Sequence, residues 1–210
     1  ACYAYVFERN GAGVLNETKK IIAGYREIGG QFGASVAISG NYAVVGEYQS
    51  DTDELGLNGL ASAGAAHVFE RNGSGNWILV NKIVASDRNV SDWFGYRVGI
   101  SGNYVVVGAW FQDFDESAGN QQTAAGAAYI FERDGTGSWN QSDKMVASDR
   151  NNADQFGNSV AVSGNYSLIG SWYDSDDENG LNSIYRAGSA YFYKLCPPTA
   201  ANFSVTECIT

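Results

Sequence analysis

Positive charge is scarce in this chain: 13 lysines and arginines stand against 23 aspartates and glutamates, a formal charge of −10. Nucleic acids and anionic membranes are held by clustered cations, so neither is an expected partner, whereas cations and neutral polar ligands remain compatible. Apolar runs are short as well. None approaches the roughly eighteen residues of a membrane-spanning helix, so no membrane insertion is expected. No initiator Met and no basic-then-apolar leader opens the chain, and any secretion signal is expected to have been removed already. Proline occurs only twice. Cysteine is confined to Cys2, Cys196 and Cys208, with no metal-type CxxC spacing, which makes these residues candidate staples rather than ligands. Histidine occurs once, at His67.

Against these absences stand 26 glycines and 13% aromatic residues. That balance suits short strands joined by tight turns and predicts an all-β fold. A length of 210 residues allows a well-buried core. The organising feature is a repeat. Phe-Gly recurs at 32, 94 and 156, a constant interval of 62. The same interval aligns Lys20, Lys82 and Lys144, then Gly46, Gly108 and Gly170, without insertion or deletion. Inside the middle unit, four apolar segments follow one another: GAAHVFER (64–71), NWILVNKIVASD (76–87), YRVGISG (96–102) and NYVVVGAWF (103–111). Alternating Val, Ile, Tyr and Phe predict strands, and the intervening Asn, Gly and Ser predict turns. Four short strands per unit, repeated in equal modules, predict propeller blades ahead of an ordinary sandwich.

The stretches FGASVAISGNYAVVGE, FGYRVGISGNYVVVGA and FGNSVAVSGNYSLIGS, each followed by an acidic loop and GAAHVFER, GAAYIFER or GSAYFYKL, resemble the FG-GAP repeat. That repeat builds the propellers of integrin alpha subunits and of many secreted bacterial surface proteins. The resemblance spans nearly all of residues 3–195 and implies an extracellular blade architecture, with residues 196–210 left as a Cys-flanked tail. Two departures accompany it. Tyr48, Trp110 and Trp172 stand where the family motif has proline, and the hairpin that carries the integrin calcium loop is only Ser-Gly-Asn here. The family's calcium loop therefore does not carry over.

Closed propellers need about 4 to 8 blades, and three repeats fall short, so completion is expected from a second copy, a polymer of copies or sequence beyond these residues. The partner expected is the chain itself, as a closed dimer or a strand-exchanged filament, with glycans or surface proteins as further candidates. The strands AYVFER (4–9) and SAYFYKL (189–195) occupy one repeat position, which amounts to three units plus one surplus strand. A blade joining one such strand to three from the neighbouring unit would free a terminal strand for another molecule's sheet edge. An internal Cys196–Cys208 loop and an intermolecular bond from Cys2 are both open, and either implies an oxidising compartment. Asn-x-Ser/Thr triplets at Asn16, Asn72, Asn89, Asn140, Asn165 and Asn202 are candidate glycan acceptors.

The acidic loops EYQSDTDELGLNG, AWFQDFDESAGNQ and SWYDSDDENGLNS share an aromatic (Tyr48, Trp110, Trp172), an Asp (Asp53, Asp115, Asp177), a Glu (Glu54, Glu116, Glu178) and an Asn (Asn58, Asn120, Asn182). Three readings compete. Alternating oxygens at Asp51 and Asp53, Asp113 and Asp115, or Asp174 and Asp176 are candidate Ca²⁺ ligands, although none completes a known calcium-loop pattern. An aromatic face with adjacent Asp and Asn suits a sugar, one site per blade, which would make the protein a multivalent lectin. Alternatively the aromatics pack between blades while the carboxylates keep the loops soluble. Enzymatic activity is not expected. His67 aligns with Tyr5 and Tyr129, which marks a packing position, and the carboxylates recur on every blade instead of converging on one differentiated pair. Lys20, Lys82 and Lys144 are expected to snorkel or to pair with a neighbouring carboxylate, Asp87 and Asp149 to cap the turn before Phe-Gly, and Gly33, Gly95 and Gly157 to allow backbone angles or a close approach that a Cβ would block.

Overall fold

A computed structural model describes residues 3–177 and 184–195. Cys2, Cys196 and Cys208, with Glu178, Asn182, Asn202 and the 196–210 tail, lie outside the described residues. The described chain is all strand, without a helix. β1 (Ala4–Arg9) and β2 (Leu15–Ile21) form a two-stranded sheet. A four-stranded sheet follows, ordered β3 (Val36–Ser39), β4 (Tyr42–Glu47), β5 (Ala65–Arg71) and β6 (Trp77–Ile83). A second has β7 (Arg97–Ser101), β8 (Tyr104–Ala109), β9 (Ala127–Arg133) and β10 (Trp139–Met145). The last sheet is three-stranded: β11 (Phe156–Ser163), β12 (Tyr166–Ser171) and β13 (Ser189–Lys194). Every pairing is antiparallel between strands adjacent in sequence. This is the meander of a propeller blade, and the four sheets are successive blades of an incomplete propeller.

Blade stacking explains the sequence of the middle strands. In β8, YVVVGA, five consecutive residues are buried, because one face packs on the preceding sheet and the other on the following one. A strand covered on both faces reads as a continuous β-branched run instead of an alternation. The Ser-Gly-Asn segments make the predicted tight hairpins: Ser101 pairs directly with Tyr104, and Ser39 with Tyr42. Three apolar clusters fill the gaps between sheets, and the Phe of each Phe-Gly lies in one of them: Phe32, Phe94 and Phe156.

Backbone-to-backbone contact joins the blades. The amides of Ser91, Trp93 and Phe94 donate to the carbonyls of Ala61, Ser62 and Ala63 at 2.8, 3.2 and 3.0 Å, and Ala153, Gln155 and Phe156 repeat the pattern on Thr123, Ala124 and Ala125. The chain then turns through a glycine with positive φ, 91° at Gly95 and 85° at Gly157. Each of these carbonyls lies against a glycine of the preceding blade. A methyl group at Gly108 would sit 2.0 Å from the Gly157 carbonyl oxygen, and one at Gly46 would sit 2.0 Å from that of Gly95.

The thirteen strands of the described residues equal three repeats of four plus one, as the sequence predicts. The sheets, however, divide the repeat between its two halves. Each complete blade takes its two inner strands from one unit and its two outer strands from the next, not one strand and three. Among the described residues the terminal sheets therefore differ from a single surplus strand: β1–β2 is the outer half of one blade, and β11–β13 makes up the first three strands of another.

The blade junction makes a specific demand. Gly108→Ala is expected to lower stability by about 3 kcal/mol, as overpacking against backbone does. Gly135→Ala, where an added Cβ meets nothing within 4 Å, should leave the melting temperature within a degree or two, since exposed substitutions cost little. Thermal denaturation of the pair provides the check.

Candidate functional site

In the first two acidic loops the aspartates are turned toward the loop's own backbone. Asp53 Oδ1 accepts from the amides of Leu55 and Leu57 at 2.9 and 2.8 Å, and its Oδ2 accepts from Asn58 Nδ2 at 2.6 Å. Asp115 Oδ1 accepts from the amides of Ser117 and Gly119 and from the Ser117 hydroxyl. These donors hold both carboxyls below the ordinary aspartate range, chiefly through the Leu57 amide for Asp53 and the Ser117 hydroxyl for Asp115. Asp51 and Asp113 each staple the far end of their loop, accepting from Ser62 N at 2.7 Å and Ala124 N at 2.8 Å, and Ser175 does the same for Arg186 N at 3.0 Å. In the third loop Asp176 accepts from Asn151 Nδ2, Asp174 is buried beside Tyr191, and Asp177 is half-buried. No group of three or more His, Cys, Asp or Glu placed to hold a metal occurs among the described residues.

Two arginines complete these loops. Arg88 donates to the Asp51 and Asn58 carbonyls at 2.7 and 3.0 Å, and Arg150 donates to those of Asp113 and Asn120 at 3.0 and 2.6 Å. The repeated Ala-Ser-Asp-Arg carries the signal, but it draws attention to its Asp. That Asp has another role. Asp87 accepts from Tyr129 Oη at 2.8 Å and Lys144 Nζ at 2.7 Å, while the turn before Phe-Gly is capped by Asp92, which accepts from Asn89 N at 2.7 Å, and by Asp154, which accepts from Asn151 N at 2.5 Å. The cap thus lies five residues beyond its expected place. Lys82 and Lys144 do pair with carboxylates, Glu27 at 3.4 Å and Asp87 at 2.7 Å, whereas Lys20 Nζ lies 3.5 Å over the Tyr3 ring.

The three loop aromatics do not form three equal sites. Tyr48 and Trp110 converge on Trp93, with ring centroids 5.2 and 5.3 Å away, and Tyr96 and Phe111 close the group. Five half-buried rings drawn from two neighbouring blades form one aromatic platform, with the Arg97 guanidinium 4.3 Å over Tyr96. Trp172 stands apart, 55% exposed, with only Tyr173 against its ring and its indole N–H on Gln155 Oε1. Trp93 went unnoticed in the sequence because its repeat equivalents are Gln31 and Gln155.

Beneath the platform lies a buried polar chain. Gln112 Nε2 donates to Asp92 Oδ2, and sits 3.2 Å from Tyr129 Oη, which reaches Asp87 and so Lys144. Burial pushes the Asp92 carboxyl up to about 7, assisted by the Asp87 charge and opposed by Lys144. Asp154 is raised to about 6 for the same first reason. In the first complete blade His67 is fully buried, edge-on to Phe32 at 5.2 Å, and its Nε2 meets Glu47 Oε2 at 2.7 Å. The packing position read from the sequence is what the ring occupies, but Glu47, aligned with Ala109 and Ser171, was not foreseen. Of the candidate ligand residues, Asp115 and Asn120 line a cleft of about 430 Å³ that also admits Glu116, Asp143 and Lys144. The triplet asparagines Asn16, Asn72, Asn89 and Asn140 are exposed and Asn165 is half-buried.

With this geometry in place, comparison with known families finds a model described as the FG-GAP repeat matching residues 15–69, 77–131 and 139–193. No curated protein matches the chain. Each matched segment begins on the outermost strand of one blade and ends on the third strand of the next, so the family's repeat is offset from the sheet by one strand.

The buried carboxyl gives a pH test. Asp92 holds its proton more tightly folded than unfolded, so its contribution is complete below about pH 4 and is lost as pH rises through about 7. Asp92→Asn should therefore melt close to the parent at pH 4 and above it at pH 8. Glu27, lowered to about 2, has the opposite sign and loses its contribution as pH falls below about 4.5. Melting curves at pH 3, 4, 6 and 8 check both signs.

Proposed function

The chain belongs to the FG-GAP repeat family, and from that premise we propose that it is a non-enzymatic structural and adhesive module of the extracellular surface that works as an assembly of chains. The observation that carries this reading is the uncovered face of β3. Val36 and Ile38 are 59% and 60% exposed, whereas their equivalents Val98 and Ile100, under the preceding blade, are 6% and 7% exposed. The third-repeat equivalents, Val160 and Val162, are half-buried against the cluster around Phe156. Covering two aliphatic side chains contributes roughly 2 kcal/mol each, and inner strands of the β11–β12 type are the complementary cover. FG-GAP repeats typically occur in extracellular or surface proteins, and the net charge of −10 suits solvent and glycan over nucleic acid.

Native mass by light scattering, with and without reductant, tests the assembly. Species well above the 22.5 kDa chain, reduced to monomer by Val36→Asp with Ile38→Asp, are expected. A wild-type monomer at every concentration sinks the proposal. Reductant sensitivity would assign a role to the cysteines.

A second reading is favoured by the aromatic platform, in which Trp93 stacks on Tyr96 and three further rings close in, an apolar surface suited to the apolar face of a sugar. It is a single composite site instead of one per blade. On a glycan array, binding lost in both Trp93→Ala and Trp110→Ala and retained in Trp172→Ala supports it; an array without signal removes it.

A further inference from the structure

The two complete blades share a buried lysine. The fourth strand of each carries it directly opposite a ring of the third: Lys82 faces His67 and Lys144 faces Tyr129. Lys82 Nζ contacts Glu27, Ser50 and Thr52, and Lys144 Nζ contacts Asp87 and the carbonyls of Phe114 and Asp115. The blade ending in β13 has the same seat without a fourth strand among the described residues. Tyr191 Oη lies 2.7 Å from Asp149 and 2.9 Å from Asp174, so one hydroxyl proton stands between two carboxylates, with Asp154 buried nearby. No ion pair among the described residues includes any of the three.

Residues 195–210 offer no lysine or arginine for the seat. Carried forward by one repeat, the Lys144 and Met145 positions fall on Thr206 and Glu207, and no lysine or arginine follows Lys194. A third Lys-aliphatic pair exists at Lys20-Ile21 on β2, in register with Lys82-Ile83 and Lys144-Met145. In β2, Lys20 faces Tyr5 and Ile21 faces Ala4, the same pairing that Lys144 and Met145 make with Tyr129 and Ala128. β13 presents the matching Ala190-Tyr191.

Resting on the assembly reading above, we infer that β2 of a second copy lies along β13 as its fourth strand, with Lys20 opposite Tyr191 and its ammonium between Asp149 and Asp174. β2 exchanges β1 for a strand of the same repeat position, so its ladder hydrogen bonds are replaced in kind. Lys20 exchanges a ring face for carboxylates. A two-stranded sheet is marginal by itself, which makes β1 the easier partner to leave. The exchange also brings β3 of the incoming chain beside β11 and β12, where Val36 and Ile38 find their cover.

Sedimentation of the full chain, paired with zero-length carbodiimide coupling of mixed ¹⁴N and ¹⁵N copies, tests this. The expected result is an interchain Lys20–Asp149 or Lys20–Asp174 product, a Kd raised at least tenfold by Lys20→Ala, and substantial recovery in Lys20→Arg. Lys20 is exposed and held only by rings, so the variants should fold, and an unchanged melting temperature at the dilution where the chain is monomeric verifies it. Undiminished assembly by Lys20→Ala without the interchain product overturns the inference while leaving the assembly intact. A wild type that remains monomeric overturns both.

Discussion

The contact on which the rest depends is the approach of one blade's backbone to the next without an intervening side chain. The Gly157 carbonyl fits against Gly108 and the Gly95 carbonyl against Gly46, at a distance that excludes a Cβ. Once that distance is fixed, the neighbouring Phe must enter the inter-blade core, and the amides of residues 91–94 must find the carbonyls of the preceding loop. A rigid splice of this kind holds the inner strands of successive blades in one register, and the constant interval of 62 between Phe-Gly pairs agrees with it.

The splice also dictates what the acidic loops do. They connect the second and third strands of a blade and carry the carbonyls onto which the next blade docks, so their backbone must be held still. Asp51 and Asp113 bridge each loop from end to end, Asp53 and Asp115 cap its inner turn, and Arg88 and Arg150 clamp its carbonyls. Carboxylates placed this way face N–H donors, an arrangement that accounts for their repetition without invoking a ligand. The aromatic platform is different. It breaks the repeat, since only one blade junction carries Trp93, Tyr96 and Phe111 together, and a feature that the fold does not require at every junction is the better place to look for recognition.

The fold was legible in the sequence because blade packing repeats and a period can be counted. Strand type, turn type and the need for glycine at the junction all follow from residues aligned at one interval. What escaped were interactions that exist at a single junction or shift by a few positions. Trp93 is masked by glutamines in the other repeats, and Glu47 has partners only where His67 replaces a tyrosine. Asp92 and Asp154 cap the turn that Asp87 and Asp149 were expected to cap, because the latter are drawn into the core by Tyr129 and Tyr191. An aligned carboxylate shows that a negative charge is retained, but only coordinates show which donor it faces.

The first complete blade shows how firmly the lysine's counter-charge is maintained. Where Asp87 would stand, this blade has Tyr25, and where Tyr129 would donate, it has His67, which has no hydroxyl to offer. The first change alone would leave Lys82, 8% exposed, without an anion, and the second would leave the buried ring without its hydroxyl partner; an unpaired buried charge is strongly destabilising. Two neighbouring changes restore the balance: Glu27 reaches Lys82 from two residues beyond Tyr25, and Glu47 takes the histidine. The positions have moved, yet each side of the pair remains. Among the described residues, the seat at the edge of β13, with carboxylates and no ammonium, therefore differs from its equivalents in the two complete blades. Desolvation alone makes such a seat costly, and the strand that relieves it most completely is the one that brings a lysine at the right register.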